Sequence, residues 1–372
     1  MNAPICIITG VTRSSTYIPL SNLFSIFQFQ EQRIKLFLTG DPLDFSCFKN
    51  VTTNWIPYNS SKIEVLNVFT YLFLQMRISL QILRDHRSSG TYILIFGSEN
   101  FFILILLLKI LNKQIILFYT GSTSRNYSQL NPKLSYLFIC IQKINNAFSN
   151  KIILYSKNLI SEWNLGNYHH KILIAHRHFL DFTTFTVTIS YPDRPPLIGY
   201  IGRLSAEKGV QLFVQALPAI LSEQKDLRVL IGGDGQLKES IEISLDTENI
   251  SARVDLPGWI SHDDLPKYLN QLRLLVLPSY TEGLPNIMLE AMAYGTPVLS
   301  TPVGAIPDVI RDGVTGFIME DNSPECIARN VIRALNSSEL EMIAERGRHF
   351  VEEEYTFEKT AENWTKIFQD IK

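Results

Sequence analysis

Four side chains in the second half of the sequence are of types that handle sugar hydroxyls and phosphates: Glu282, Glu290, Arg203 and Lys208. A carboxylate accepts hydrogen bonds from hydroxyls and repels phosphate, whereas guanidinium and ammonium groups hold phosphate oxygens. The glutamates stand in Glu282-Gly-Leu-Pro-Asn-Ile-Met-Leu-Glu290, the first in a loop and the second in the early turns of a helix expected from about Asn286 to Tyr294. Free N–H groups at the start of that helix, with the backbone of Gly283 and Leu284, suit an anion. The local expectation is a pocket for a molecule that carries both phosphates and sugar hydroxyls.

A sheet edge has to position these groups. The apolar run Leu274–Leu277 reads as a buried strand, Pro278 to Gly283 as a turn, and Pro297-Val298-Leu299 as the next strand after Gly295 stops the helix. A strand at Leu197–Ile201 leads into Gly202, Arg203 and Lys208, followed by a helix expected at about 209–222. In open α/β sheets ligands bind beyond the carboxyl ends of strands, so both pairs belong at one such edge. Two cations at a helix mouth would stabilise the charge that a departing diphosphate develops. Ile231-Gly-Gly233-Asp-Gly235 is a glycine-rich loop after a strand, and Leu256-Pro-Gly258-Trp259-Ile260 ends another. Ser261 reads as the N-cap of a helix over 262–270, with His262 a surface residue of its first turn. Trp259 fits packing better than stacking.

The first half alternates. Strands are expected at Ile5–Thr9, Ile34–Leu38, Thr53–Ile56, Tyr92–Phe96, Ile115–Tyr119, Ile152–Tyr155 and Ile172–Ala175. Helices fit best at about 63–85, 99–111, 132–148 and 157–164, which makes βαβ units and a parallel sheet. The turn-rich Tyr191-Pro-Asp-Arg-Pro-Pro196 reads as a linker, so the domains expected are 1–190 and 191–356.

Glu282 and Glu290, followed by Ala-Met-Ala-Tyr-Gly-Thr-Pro-Val, resemble the E-x7-E signature of the family 4 (group 1) retaining glycosyltransferases. The likeness continues through Ile198-Gly-Tyr-Ile-Gly-Arg203-Leu-Ser-Ala-Glu-Lys208-Gly209 and Ile231-Gly-Gly-Asp-Gly235, and covers about 197 to 355. It implies the GT-B fold, α/β with two Rossmann-like domains and parallel sheets facing across a cleft. It further implies a final helix, 357–372, crossing back to the first domain. By the same resemblance Arg203 and Lys208 hold the donor diphosphate, Glu282 contacts the transferred hexose, and Glu290 accepts from the ribose. Gly202, Gly233, Gly258, Trp259, Gly283, Leu284 and Asn286 then line the nucleotide site.

The chain departs from the family in its first half. Where many members carry a histidine, the strand Gln114-Ile-Ile-Leu-Phe-Tyr119-Thr120 offers Thr120 beside Tyr119, and the loop after Thr9 has only Gly10 before Thr12, Arg13, Ser14 and Ser15. No first-domain catalytic residue is carried over. His176 and His178 lack a third metal ligand and fit a basic lining, with His176 or Arg177 near a phosphate. Glu99 either faces ligand or caps a helix.

Composition narrows the setting. Hydrophobic residues make up 46% and charged residues 19%, so the chain can bury sizeable cores. Cys6, Cys47, Cys140 and Cys326 are scattered without metal spacing, which favours a reducing compartment and no structural zinc. The net charge of −2 hides an asymmetry: residues 1–190 hold 17 Lys and Arg against 8 Asp and Glu. A basic first domain suits an anionic membrane surface or acceptor, not nucleic acid. The most apolar stretch, Phe101–Leu108, is too short for a bilayer span of about 20 residues, and no leader is evident at the N-terminus.

The reading is a cytoplasmic, metal-independent glycosyltransferase, placed at the inner face of the membrane, that uses no cofactor. It moves a hexose from a nucleoside diphosphate sugar to a glycan or lipid-linked acceptor with retention. Two alternatives stand beside it: a GT-B sugar-nucleotide 2-epimerase, and a binding-only partner of another transferase.

Overall fold

Strands that are buried on both faces need side chains that are apolar on both faces, and the continuous Ile, Leu, Val and Phe runs of this chain meet that demand. The computed structural model describes residues 3–58, 64–85, 87–121 and 132–371. It divides into two units, Met1–Phe179 with Phe357–Lys372, and Leu180–Thr356.

In chain order the first unit contains β1 (Ile5–Thr12), α1 (Tyr17–Phe29), β2 (Ile34–Gly40), β3 (Val51–Ile56), α2 (Glu64–Asp85) and β4 (Thr91–Ile95). It continues with α3 (Phe102–Ile110), β5 (Gln114–Phe118), α4 (Pro132–Phe148), β6 (Lys151–Leu154), α5 (Asn158–Glu162) and β7 (Ile172–Ile174). The strands are all parallel, in the order β3-β2-β1-β4-β5-β6-β7. Each expected strand is present within three residues of its expected bounds, β1 running on to Thr12.

The second unit holds β8 (Leu197–Ile201), α6 (Val210–Glu223), β9 (Arg228–Gly232), α7 (Lys238–Thr247), β10 (Val254–Gly258), α8 (Leu265–Leu269) and β11 (Leu274–Leu277). After these come α9 (Asn286–Ala293), β12 (Val298–Ser300), α10 (Ile306–Val309), β13 (Phe317–Ile318), α11 (Pro324–Leu335) and α12 (Leu340–Glu354). Its parallel sheet runs β10-β9-β8-β11-β12-β13. The chain leaves β8 in one direction and returns to β11 on its other side. This makes the β8/β11 boundary the topological switch point, where ligands collect in such sheets.

The last helix, α13 (Phe357–Ile371), belongs to the first unit. Its Trp364 is buried against Phe27 (5.1 Å between ring centroids), and the indole N–H donates to the His176 carbonyl at 2.8 Å. Gln30 Nε2 donates to Thr365 Oγ1 at 2.7 Å.

The division falls at Phe179/Leu180, earlier than the Pro-rich stretch suggests. The segment before β8 is tied down rather than linking. Buried Arg194 donates to the carbonyls of Leu272 and Tyr294 and to Thr296 Oγ1, at 2.7 to 2.8 Å, and Tyr191 donates to the Arg273 carbonyl at 2.8 Å. The helix expected over 262–270 is shorter, since α8 begins at Leu265. Ser261 accepts from the Asp264 N–H at 3.1 Å and donates to its carboxylate at 2.6 Å, holding the turn ahead of the helix.

Candidate functional site

The four chemistry-bearing residues follow β8 and β11 of the second unit, and two of them, Lys208 and Glu282, come into contact. The loop after β8 carries Arg203 and Lys208, and the loop after β11 carries Glu282. Gly209, at φ 67°, lets the first loop close on the second: a Cβ there would lie 2.0 Å from the Pro278 carbonyl oxygen. The Tyr280 N–H donates to the Glu207 carbonyl at 3.0 Å and completes the seam. Across β9 and β10 the glycines bond in series, Gly202 N–H to the Gly232 carbonyl (3.0 Å) and Gly233 N–H to the Gly258 carbonyl (2.7 Å).

Lys208 Nζ donates to Glu282 Oε1 at 2.7 Å, and Ser279 Oγ donates to the same oxygen at 2.7 Å. The sequence reading assigned Lys208 to phosphate and Glu282 to hydroxyls; the structure also pairs them directly. An ammonium has three donors, so this bond leaves capacity for a phosphate. Arg203 is largely exposed and only approaches Glu207, at 3.6 Å, while Ser205 Oγ holds that carboxylate at 2.6 Å. The Glu282 loop rests on Gly304. At φ 64°, a Cβ on Gly304 would lie 2.4 Å from the Glu282 carbonyl and 2.6 Å from that of Gly283, which accepts from the Ala305 N–H at 2.8 Å.

Glu290 sits one turn into α9. Its side chain is only 14% exposed, and the nearest ion-pair partner is His262 Nδ1 at 4.0 Å, beyond hydrogen-bond reach. Burial raises its pKa above the usual carboxylate value, and the charge of His262 opposes that shift. Asn286 begins α9, buried Leu284 precedes it, and Pro285 at the N-cap supplies no side-chain acceptor to the first-turn N–H groups. They therefore keep their capacity for an anion.

Two sequence expectations change here. Trp259 is 74% exposed, so it is not a packing residue: β10 is the edge strand and Gly258, at φ 76°, turns the chain off it. His262 is exposed as expected, yet it stands beside Glu290. No local spacing announces that proximity, because His262 follows β10 and Glu290 follows β11, strands that β9 and β8 separate in the sheet.

In the first unit Tyr119 is committed to structure, its buried hydroxyl donating to Asn146 Oδ1 at 2.7 Å. Thr120 is half-buried at the end of β5. Glu99 is buried, accepts from the Gly97 N–H at 2.7 Å, and is pushed up to about 7 by burial. His169 and His170 are exposed, whereas Arg177 and His178 are buried.

Residues 183–350 match the family described as glycosyl transferases group 1. The alpha-D-kanosaminyltransferase of Streptomyces kanamyceticus is 29% identical over 180 residues, 48% of this chain and 47% of that protein. The capsular polysaccharide biosynthesis glycosyltransferase CapM of Staphylococcus aureus is 30% identical over 165 residues, 43% of this chain and 42% of its own length. The chain thus spans about half the length of the curated relatives it matches. Among solved structures, Anabaena HepE, crystallised in complex with UDP and glucose, superposes with a TM-score of 0.74 at 13% identity, over 98% of this chain and 99% of that one. The match and the relatives support the group 1 glycosyltransferase family, and the two parallel-sheet α/β units are the GT-B architecture.

Proposed function

We propose that the protein is a retaining, metal-independent glycosyltransferase that moves a hexose from a nucleoside diphosphate sugar to an acceptor hydroxyl in cell-surface glycan or glycolipid synthesis. The observation that carries this reading is the contact of Lys208 with Glu282 at the switch point of the second unit, where Arg203 shares the loop of Lys208 and Glu290 lies on the helix that follows Glu282. Cations and first-turn N–H groups suit a diphosphate, and the Lys208–Glu282 pair gives it a positioned donor. Among the described residues the ion-pair partner of the Glu290 carboxylate is His262, at 4.0 Å and beyond hydrogen-bond reach, which suits an acceptor awaiting ribose hydroxyls. The complex of HepE with UDP and glucose, and the capsular role in the name of CapM, favour a nucleotide-sugar donor and a surface glycan.

The acceptor side falls to the basic first unit, with peripheral contact to an anionic membrane. Helix α2 exposes Phe69, Leu72, Phe73, Met76, Leu80 and Leu83 at helical spacing, with Arg84 and Arg87 exposed at its end. An apolar stripe beside cations is what a headgroup interface accepts. No helix among the described residues is long and apolar enough to cross a membrane.

The deciding experiment is calorimetric titration with UDP-, GDP- and ADP-sugars, followed by a product assay across an acceptor panel. Tight binding of one donor with transfer to an acceptor supports the reading. Conversion of a donor without any acceptor would favour the epimerase, and binding without turnover the binding-only partner.

A further inference from the structure

The first unit contains a buried arginine that no carboxylate among the described residues pairs with. Arg177, just past β7, is 6% exposed, and its Nε and Nη1 atoms have no hydrogen-bond partner. Among the described residues it makes no ion pair. Glu99, the buried carboxyl on the loop after β4, bonds the Gly97 N–H instead. Beside Arg177 is His178, 3% exposed, with both ring nitrogens unpartnered, and the buried Tyr155 hydroxyl makes no well-formed hydrogen bond, although Arg177 lies close enough for its charge to oppose the upward push of burial on that phenol. The Tyr155 and His178 rings meet edge to face at 4.9 Å.

The position is as telling as the chemistry. The guanidinium carbon lies 5.7 Å from the centre of the Phe96 ring and 5.9 Å from that of Tyr155. Phe96 follows β4, Tyr155 follows β6 and Arg177 follows β7, so the cluster occupies the carboxyl edge of the sheet. It reaches back from the last strand toward β4, which borders β1 at the switch point of this unit. Contact with aromatic faces steadies the cation but leaves the N–H groups of Nε and Nη1 unmet. Buried charges are normally paired, and an unpaired one is costly. Burial, reinforced by the charge of Arg177, holds His178 well below the usual imidazole value, so in this state it is neutral and has one N–H to donate. The available groups are therefore a guanidinium fork, an imidazole and a phenol, all able to donate.

We infer that Arg177, His178 and Tyr155 form a phosphate-binding site in the first unit, built from none of the donor-site residues, which receives a phosphate group on the acceptor. A tetrahedral phosphate offers oxygens to all three donors and neutralises the buried cation. Only the word acceptor rests on the transferase reading; the anion site stands without it.

The test is thermal unfolding during titration with inorganic phosphate against sodium chloride at matched ionic strength. Parallel arms use glycerol 3-phosphate and UDP, on the wild type, R177Q and R203Q/K208Q. The wild type is expected to show a saturable rise in Tm with inorganic phosphate and with glycerol 3-phosphate. R203Q/K208Q should keep that response, and R177Q should need at least about tenfold more phosphate, the loss of one charge-assisted contact. R177Q should respond to UDP as the wild type does. Equal effects of phosphate and chloride on the wild type overturn the site whether or not the variant folds. A phosphate response lost only in R203Q/K208Q, or a UDP response lost in R177Q, moves the anion to the donor site and overturns it too. A response to inorganic phosphate with none to glycerol 3-phosphate overturns the acceptor assignment. The donor-sugar titration tests the transferase reading separately.

Discussion

Replacing Glu290 by Gln should make the protein more stable and a worse binder of nucleotide. Its side chain is 14% exposed and lies 4.0 Å from His262, so its ionised form gives up hydration with little in return. Burial consequently raises its pKa from 4.5. Each unit of such a rise costs about 1.4 kcal/mol of stability once the group ionises in the folded state. Because the folded value lies above the unfolded one, the folded protein holds its proton more tightly. The penalty is absent below about pH 4.5 and complete above the folded pKa. E290Q should therefore gain stability near neutral pH, and the gain should shrink as pH falls toward 4.5. The same substitution replaces a charged acceptor for ribose hydroxyls with a neutral one. A hydrogen bond to a charged group contributes roughly 1.5–3 kcal/mol, so UDP affinity should fall about ten- to a hundredfold. Denaturant unfolding at several pH values and calorimetry with UDP read the two effects. An E290Q protein that is less stable than wild type near pH 7, or that binds UDP within twofold of it, refutes the assignment.

Other perturbations test the surrounding framework. K208M leaves the Glu282 carboxylate with only Ser279, and should cost about 1.5–3 kcal/mol, toward the lower end because Lys208 is partly exposed. In a double-mutant cycle with E282Q the losses should be less than additive by about 1 kcal/mol; strict additivity would show that the pair is not coupled. G304A forces a left-handed φ onto a residue with a Cβ and drives that atom against the Glu282 and Gly283 carbonyls, so Tm and UDP affinity should fall together. A fall in Tm alone would detach Gly304 from the site. R194M strips three buried acceptors of their donor and should cost roughly 3–5 kcal/mol, measured by urea unfolding. F73E/L80E should reduce co-sedimentation with anionic vesicles more than tenfold, since burying each such side chain contributes about 1.5–3 kcal/mol. Unchanged sedimentation removes α2 from any membrane contact.

What could be read from the sequence was what the chain encodes locally. Strand positions followed from apolar runs, and Glu282 with Glu290 followed from a loop and a helix only eight positions apart. Gly209, Gly233 and Gly304 are readable for the same reason: each bends the backbone where it stands. The features that had to be seen join residues far apart in the chain. Lys208 and Glu282 are 74 positions apart and meet because β8 and β11 are neighbours in register, Leu274 against Ile198. His262 reaches Glu290 through the same sheet. Arg194 looked like part of a Pro-rich linker because composition reports turns, not the acceptors that a guanidinium will find ahead of β11 and just past α9. Trp259 looked like a packing residue because tryptophans usually are; only the strand order shows that it follows an edge. Arg177 is the extreme case, since its unusual property is that no carboxylate among the described residues pairs with it. A sequence can place a cation, but only the folded unit shows that no described carboxylate answers it. That is why the sequence could place a phosphate near His176 or Arg177, whereas the unpaired cluster of Arg177 with His178 and Tyr155 emerged from accounting for buried charge.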